Sequence, residues 1–287
     1  MGAKARFNEL LGLDLHPKII DIGANPISYP IYYWMHQAGD IDIVGFEPAP
    51  VPFAQLQETK GPRETYLPLA VGDGRRHTLH LCFAPGMSSI FEPDPAVLDL
   101  FPRGSLWGSV LETMEVDTVR LDDVPETEGV DMISIDIQGA ELMALENAAE
   151  RLKTTLLIHC EVEFVPIYKG QPLFSEVEIF LRSQGFMLHT FQEMNTRCIT
   201  PLVLNDDPTA GFNQHFWANA VFIRDLSKAN QLSDQEILKL AMLLHDLYQS
   251  VDASMRLLSV YDTRHGTALA PTYLNNLRQH YNSALPA

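Results

Sequence analysis

Short apolar runs recur along the chain, and between most of them apolar positions repeat at the spacing of a helix face. The runs 18–23 (KIIDIG), 41–46, 65–71, 132–137, 155–160, 186–191 and 220–223 read as strands. The stretches 31–38, 52–59, 141–153 and 175–184 read as helices between them; in 141–153, Leu142, Leu145, Ala149 and Leu152 share one face. Strands that alternate with helices predict an α/β fold on a largely parallel sheet with crossovers. Segments 78–83 (TLHLCF) and 112–119 (ETMEVDTV) alternate apolar with polar, as half-exposed strands do. About seven runs fit one sheet, with 186–191 and 220–223 as an antiparallel finishing pair. Residues 84–108 are rich in Pro, Gly and Ser and too long for a connector, so they form either a lid or a packing loop.

After Arg224 the texture changes. SDQEILKLAMLLHDLYQS opens on Ser233 with Glu236 three residues on, a capping box. Leu238, Ala241, Leu244 and Leu247 then recur at helical spacing. The pattern divides the chain into a Rossmann-like domain, 1–230, and a helical C-terminal extension, 231–287, of two or three helices. Whether that apolar face packs on its own domain or on a second copy stays open, and with it homo-oligomerisation.

Charge narrows the partners. Twenty Lys and Arg stand against 37 Asp and Glu, a net charge of −17 with no basic run, so nucleic acid is not an expected ligand. The three cysteines, Cys82, Cys160 and Cys198, are scattered and suggest neither a disulfide framework nor a zinc site. No apolar stretch reaches about 18 residues and no secretory h-region opens the chain. Met1-Gly2 lacks the hydroxyl residue of a myristoylation site, because position 6 is Arg6. The expectation is a cytoplasmic protein without stable membrane insertion.

The most informative chemistry lies at two strand ends. Asp21 closes the first strand and is followed by a turn of small residues, Gly23, Ala24 and Asn25; Glu47-Pro48 closes the second, 26 residues after Asp21. In an α/β sheet such a turn lets backbone N–H groups approach a ligand, and an acid at the second strand end accepts from both ribose hydroxyls. Pro26 removes one donor from the turn and pushes Asn25 toward an extended conformation, although proline is tolerated at the first position of a helix. The GANPIS turn lacks the glycines that bring backbone to a pyrophosphate, which disfavours a dinucleotide oxidoreductase.

Further motifs follow in order: LAVGDG at 69–74, VDTVRLDDV at 116–124, MISIDIQGAE at 132–141 and IHCEVE at 158–163. Together with DIGAN at 21–25 and FEP at 46–48, they make the chain resemble the FkbM family of S-adenosylmethionine-dependent methyltransferases over roughly residues 17–224. The resemblance implies a seven-stranded doubly wound sheet of the class I methyltransferase type, S-adenosyl-L-methionine as cofactor, and methyl transfer to oxygen. It points to a hydroxyl of a saccharide or glycan precursor as acceptor. The chain departs from the family pattern twice. Pro26 stands where the family turn continues with glycine, and Gln138 replaces the middle acid of the family's DxEGaE stretch. Both leave open a non-catalytic binding or scaffold module built on the same shell.

On this reading Asp21, Gly23, Ala24, Asn25, Glu47 and Pro48 hold the cofactor. Val71, Gly72 and Asp73 would meet the adenine, Ser88 and Ser89 would close over it, and Asp136 would lie beside the methionine end. Asp136, His159 and Glu161 are the catalytic candidates, since proton removal from a hydroxyl needs a positioned base. Each has a plain alternative: a helix-capping acid for Asp21, a turn residue for Asp73, local backbone bonding for the serines, a buried core histidine for His159. No ligand spacing suggests a metal.

Overall fold

The structure, a computed structural model, describes residues 5–26 and 29–281; Met1-Gly2, the Ile27–Ser28 step of the first turn and residues 282–287 lie outside them. Helix α1 (Phe7–Leu11) leads to β1 (Lys18–Ile22), α2 (Tyr33–Gln37), β2 (Asp42–Phe46), α3 (Pro50–Thr59) and β3 (Glu64–Leu67). A side unit follows, made of β4 (Ala70–Val71), β5 (Arg76–Cys82), α4 (Pro95–Leu98), α5 (Gly104–Trp107) and β6 (Val110–Val119). The chain returns through β7 (Met132–Ile135), α6 (Glu141–Glu146), α7 (Ala149–Thr154), β8 (Leu157–Glu163), α8 (Phe174–Ser183), β9 (Phe186–Arg197) and β10 (Gln214–Arg224). It ends on α9 (Asp234–Tyr248), α10 (Val251–His265) and α11 (Leu269–Tyr281).

Seven strands form one sheet in the order β3-β2-β1-β7-β8-β10-β9, and β10 alone runs antiparallel to its neighbours. Strand order turns at β1 and β7, which opens a crevice at their carboxyl ends. Successive strand residues point to opposite faces, and both faces are covered. Ile19, Ile43, Met132, Leu157 and Val221 pack with Leu240 and Leu244 of α9 and Leu257 of α10. One residue on, Ile20, Val44, Ile133, Ile158 and Phe222 pack with Leu145, Leu152 and Leu181 of α6, α7 and α8. The C-terminal helices therefore cover one face of this chain's own sheet, and Lys239 of α9 adds an ion pair to buried Asp131 at 2.8 Å. Among the described residues no helix is long and apolar enough to cross a membrane.

Four local expectations are refined. The run 65–71 breaks at Pro68, which has no N–H for a ladder; β3 joins the large sheet, and β4 pairs with β6. Segments 78–83 and 112–119 fall in β5 and β6, antiparallel partners in a separate three-stranded sheet. The helix expected over 141–153 is two helices, because the Asp122 carboxylate accepts from the amides of Glu150 (2.9 Å) and Arg151 (3.0 Å) and starts α7 afresh. Finally, 84–108 carries α4 and α5, and Leu98 and Phe101 pack there against Val165, Ile167 and Tyr168.

Candidate active site

Period-two alternation carries the face that holds Ile19, Met132 and Leu157 upward to Asp21, Ser134 and His159 at the carboxyl edge. These three, with Gly23 to Pro26, Tyr32 and Asp136, line a cavity of about 440 Å³. Tyr66 closes it on one side, and Gln192 and Asn219 from the last two strands on the other. Asp21 Oδ2 accepts from the Tyr32 hydroxyl at 2.5 Å. Burial pushes the Asp21 carboxyl up to about 6; Asp136 adds to the rise, and the hydrogen bonds from Tyr32 and Ser134 oppose it.

The turn itself is drawn tight against the sheet. The amides of Gly23 and Ala24 both donate to Phe46 O, at 3.1 and 3.0 Å, and the Asn25 amide donates to Gly23 O at 2.6 Å. The three N–H groups expected to face a ligand are thus taken up by protein carbonyls. Gly23 has φ +89°, and a Cβ there would run into the Asp136 carbonyl oxygen. Only glycine permits that approach, so Gly23→Ala is expected to cost about 1–3 kcal/mol and lower the melting temperature by roughly 2–4 °C for each. Calorimetric melting checks it; an unchanged transition would mean that the turn has room to relax.

The other sequence-derived cofactor residues stand outside this cavity's lining. Glu47 is buried, its Oε1 accepts from the Ala49 amide at 2.7 Å, and burial raises its carboxyl above the ordinary range. Pro48 is exposed beside it. Val71 is buried on β4, and the Gly72 amide donates to Val119 O at 2.9 Å. Asp73 Oδ1 takes the Arg75 amide at 3.0 Å and lies 2.7 Å from His77 Nε2, which is turn chemistry. Ser88 Oγ accepts from the Cys82 amide, and buried Ser89 Oγ donates to Gln138 O at 2.6 Å. Ser88 serves local backbone, whereas Ser89 accepts from the nearby Phe91 amide at 3.0 Å and reaches across 49 residues to Gln138.

Gln138 organises the acids. It sits at φ +57°, and its Nε2 donates to Asp136 Oδ1 at 2.8 Å and to Glu161 Oε2 at 2.7 Å. Glu141 is buried and accepts the Ile137 amide at 2.8 Å. Carboxylate oxygens of Asp136, Glu141 and Glu161 lie within 4.8 Å of one another. Such a group can bind a hard divalent cation, but here the Gln138 amide already donates to two of its members. Burial, then the charge of Asp136, drives the Glu161 carboxyl well above the ordinary range, and the same two causes push Glu163 up to about 7.

Beside these acids a second cavity, of about 320 Å³, lies between the side unit and the rim of β8 and β10. Glu161, Glu163 and Gln138 line it together with Trp107, Trp217 and Arg197. Arg197 stacks over Phe216 with its guanidinium carbon 5.3 Å from the ring centroid, and Phe216 meets Phe101 edge-on at 4.8 Å. The structure therefore unites Asp21, Gly23, Ala24, Asn25, Asp136 and His159 around one cavity and gives Glu161 to its neighbour. Tyr32, Tyr66, Asn219 and Trp217 had no local motif to mark them; their positions come from the turn after β1, from pairing of β3 with β2 and from pairing of β10 with β8.

The chain matches the methyltransferase FkbM domain over residues 21–188. It is 28% identical over 165 residues to the 2-O-methyltransferase NoeI of Sinorhizobium fredii (strain NBRC 101917 / NGR234), covering 54% of this chain and 67% of that one. Among solved structures, a Streptococcus pneumoniae protein in complex with S-adenosyl-L-methionine aligns at TM-score 0.37 and 12% identity, over 94% of this chain and 97% of that one. A Streptococcus agalactiae protein of the NADB-Rossmann superfamily aligns at TM-score 0.37 and 10% identity, over 98% and 97%.

Proposed function

The chain belongs to the FkbM methyltransferase family, and on that premise we propose that it transfers a methyl group from S-adenosylmethionine to a hydroxyl of a saccharide or glycan precursor. The observation that carries this reading is the pairing of two cavities across the Asp136–Gln138–Glu161 hydrogen bonds. The first is of the size that takes a cofactor. The donor is a cationic, ribose-bearing molecule, and the residues present suit it. Asp21 and Asp136 offer carboxylates to its ammonium end, and Glu47, just past the end of β2, offers one to the ribose. When bound, S-adenosylmethionine supplies an electrophilic methyl group on a sulfonium sulfur.

The second cavity is the acceptor's. Trp107 and Trp217 give flat apolar walls to a sugar ring, and Glu161, Glu163, Gln138 and Arg197 give polar partners to its hydroxyls. Glu161 receives the proton of the reacting hydroxyl: the Gln138 amide holds its Oε2 and so fixes the carboxylate at the wall of this cavity. Because burial raises its carboxyl, the ionised Glu161 is a stronger base than an ordinary carboxylate. The test is calorimetric titration with S-adenosylmethionine, then incubation with labelled methyl donor and a panel of methyl pyranosides. Trp217→Ala is expected to raise KM for the methylated pyranoside about tenfold with a smaller change in kcat. Absence of cosubstrate binding sinks the reading; binding without transfer to any pyranoside sinks the saccharide part.

A further inference from the structure

One side chain of the C-terminal helices reaches the wall of the first cavity. Tyr248, the last residue of α9, places its hydroxyl 3.0 Å from His159 Nδ1, and the two rings lie within 19° of parallel. Burial holds the phenol far above its ordinary range, so it keeps its proton. Among the described residues Nδ1 is the only hydrogen-bond partner given to that hydroxyl, and a buried O–H left without an acceptor is costly. The hydroxyl therefore donates. Burial also lowers the imidazole to about 4, with the charge of Asp136 acting the other way, so His159 is neutral near pH 7. A neutral imidazole that accepts at Nδ1 carries its proton at Nε2.

The surroundings say what that N–H is for. The first cavity has carboxylates at Asp21, Asp136 and Glu193, all suited to the cosubstrate's ammonium group. Its α-carboxylate needs donors instead, and the amides of Gly23, Ala24 and Asn25 are taken up by Phe46 O and Gly23 O. His159 projects into this cavity from β8, beside Ser134 and Asn219. We propose that Tyr248 locks His159 as the Nε2–H tautomer, and that His159 donates to the carboxylate of the cosubstrate's methionine end rather than removing the acceptor's proton. Tyr248 is then a positioning residue, and the C-terminal helices serve the site through it. The inference rests on the methyl-donor reading of the first cavity.

Two measurements test it. In long-range ¹H–¹⁵N spectra of the labelled protein, with the His159 signals assigned by their loss in His159→Gln, His159 is expected to show a protonated Nε2 and a bare Nδ1. A protonated Nδ1 overturns the lock. In calorimetry, His159→Leu is expected to weaken S-adenosylhomocysteine about 10- to 100-fold. Its affinity for 5′-methylthioadenosine, which lacks the amino-acid end, should stay unchanged. Tyr248→Phe should show the same selectivity with a smaller loss, and a melting transition lowered by the buried Nδ1 that it leaves without a donor. Equal weakening of both ligands by His159→Leu overturns the carboxylate contact. If the unaltered protein binds neither ligand, the methyl-donor reading itself has failed. The tautomer is read in the free protein and stands or falls without that binding.

Discussion

Glu161→Gln is expected to lower kcat for methyl transfer by about 10²- to 10⁴-fold, the range set by a positioned general base, while cosubstrate affinity stays within about twofold. The amide keeps the size of the side chain and can still meet Gln138, but it cannot accept the acceptor's proton. The pH profile gives the sharper reading. Burial and the charge of Asp136 raise the Glu161 carboxyl, so its basic form appears only at pH values above the ordinary carboxylate range. The rate should therefore rise with pH on that alkaline side in the unaltered enzyme and lose the rise in Glu161→Gln. A variant that keeps both its rate and its pH dependence would remove Glu161 from proton transfer and leave positioning as the source of the rate.

Asp21→Asn should weaken S-adenosylmethionine about 10- to 100-fold at pH 8, the worth of a hydrogen bond to a charged group. The sign with pH follows from the carboxyl being pushed up to about 6. Below that value Asp21 is protonated and offers the ligand's ammonium no charge, and above it the pair forms. Affinity should climb through pH 6 and level off, and the climb should vanish in Asp21→Asn. Stability runs the other way. Folding raises this pKa, so ionising Asp21 costs the free protein stability above about pH 6, and below the ordinary carboxylate range that cost is absent. Asp21→Asn should therefore melt at the same temperature as the unaltered protein or higher at pH 8. An Asp21→Asn variant that binds as tightly as its parent at every pH would place the ammonium group elsewhere.

Much of the fold was legible because strand and helix periods are local properties. Ile19 and Ile20, or Leu157 and Ile158, face opposite sides of the sheet whatever surrounds them, and a sheet covered on both faces makes both residues apolar. Strand ends were legible for the same reason, so Asp21, Asp136, His159 and Glu161 could be named for the carboxyl edge of the sheet, but not that Glu161 would line a different cavity from the other three. The turn was legible in outline only: Gly23 was expected to allow close approach, but the approach is to the Asp136 carbonyl, and the turn's amides go to β2. Where the two sides of Pro68 go was not legible, because the choice of sheet depends on partners 21 residues back for β3 and 48 residues on for β4. The same holds for the break before α7, which Asp122 makes from another segment.

By itself, then, the sequence determined the alternation of strands and helices, the acids at the ends of β1 and β2, and the family to which that order of motifs belongs. All of these are set by spacing along the chain. The tertiary structure alone decided that Gln138 bridges Asp136 and Glu161, that an aromatic cavity lies beyond them, and that Tyr248 comes to rest on His159 across 89 residues of sequence. Those contacts depend on how helices lie on a twisted sheet. Directional hydrogen bonds between distant segments form only once packing has set the distance, and no local pattern of apolar and polar residues encodes them.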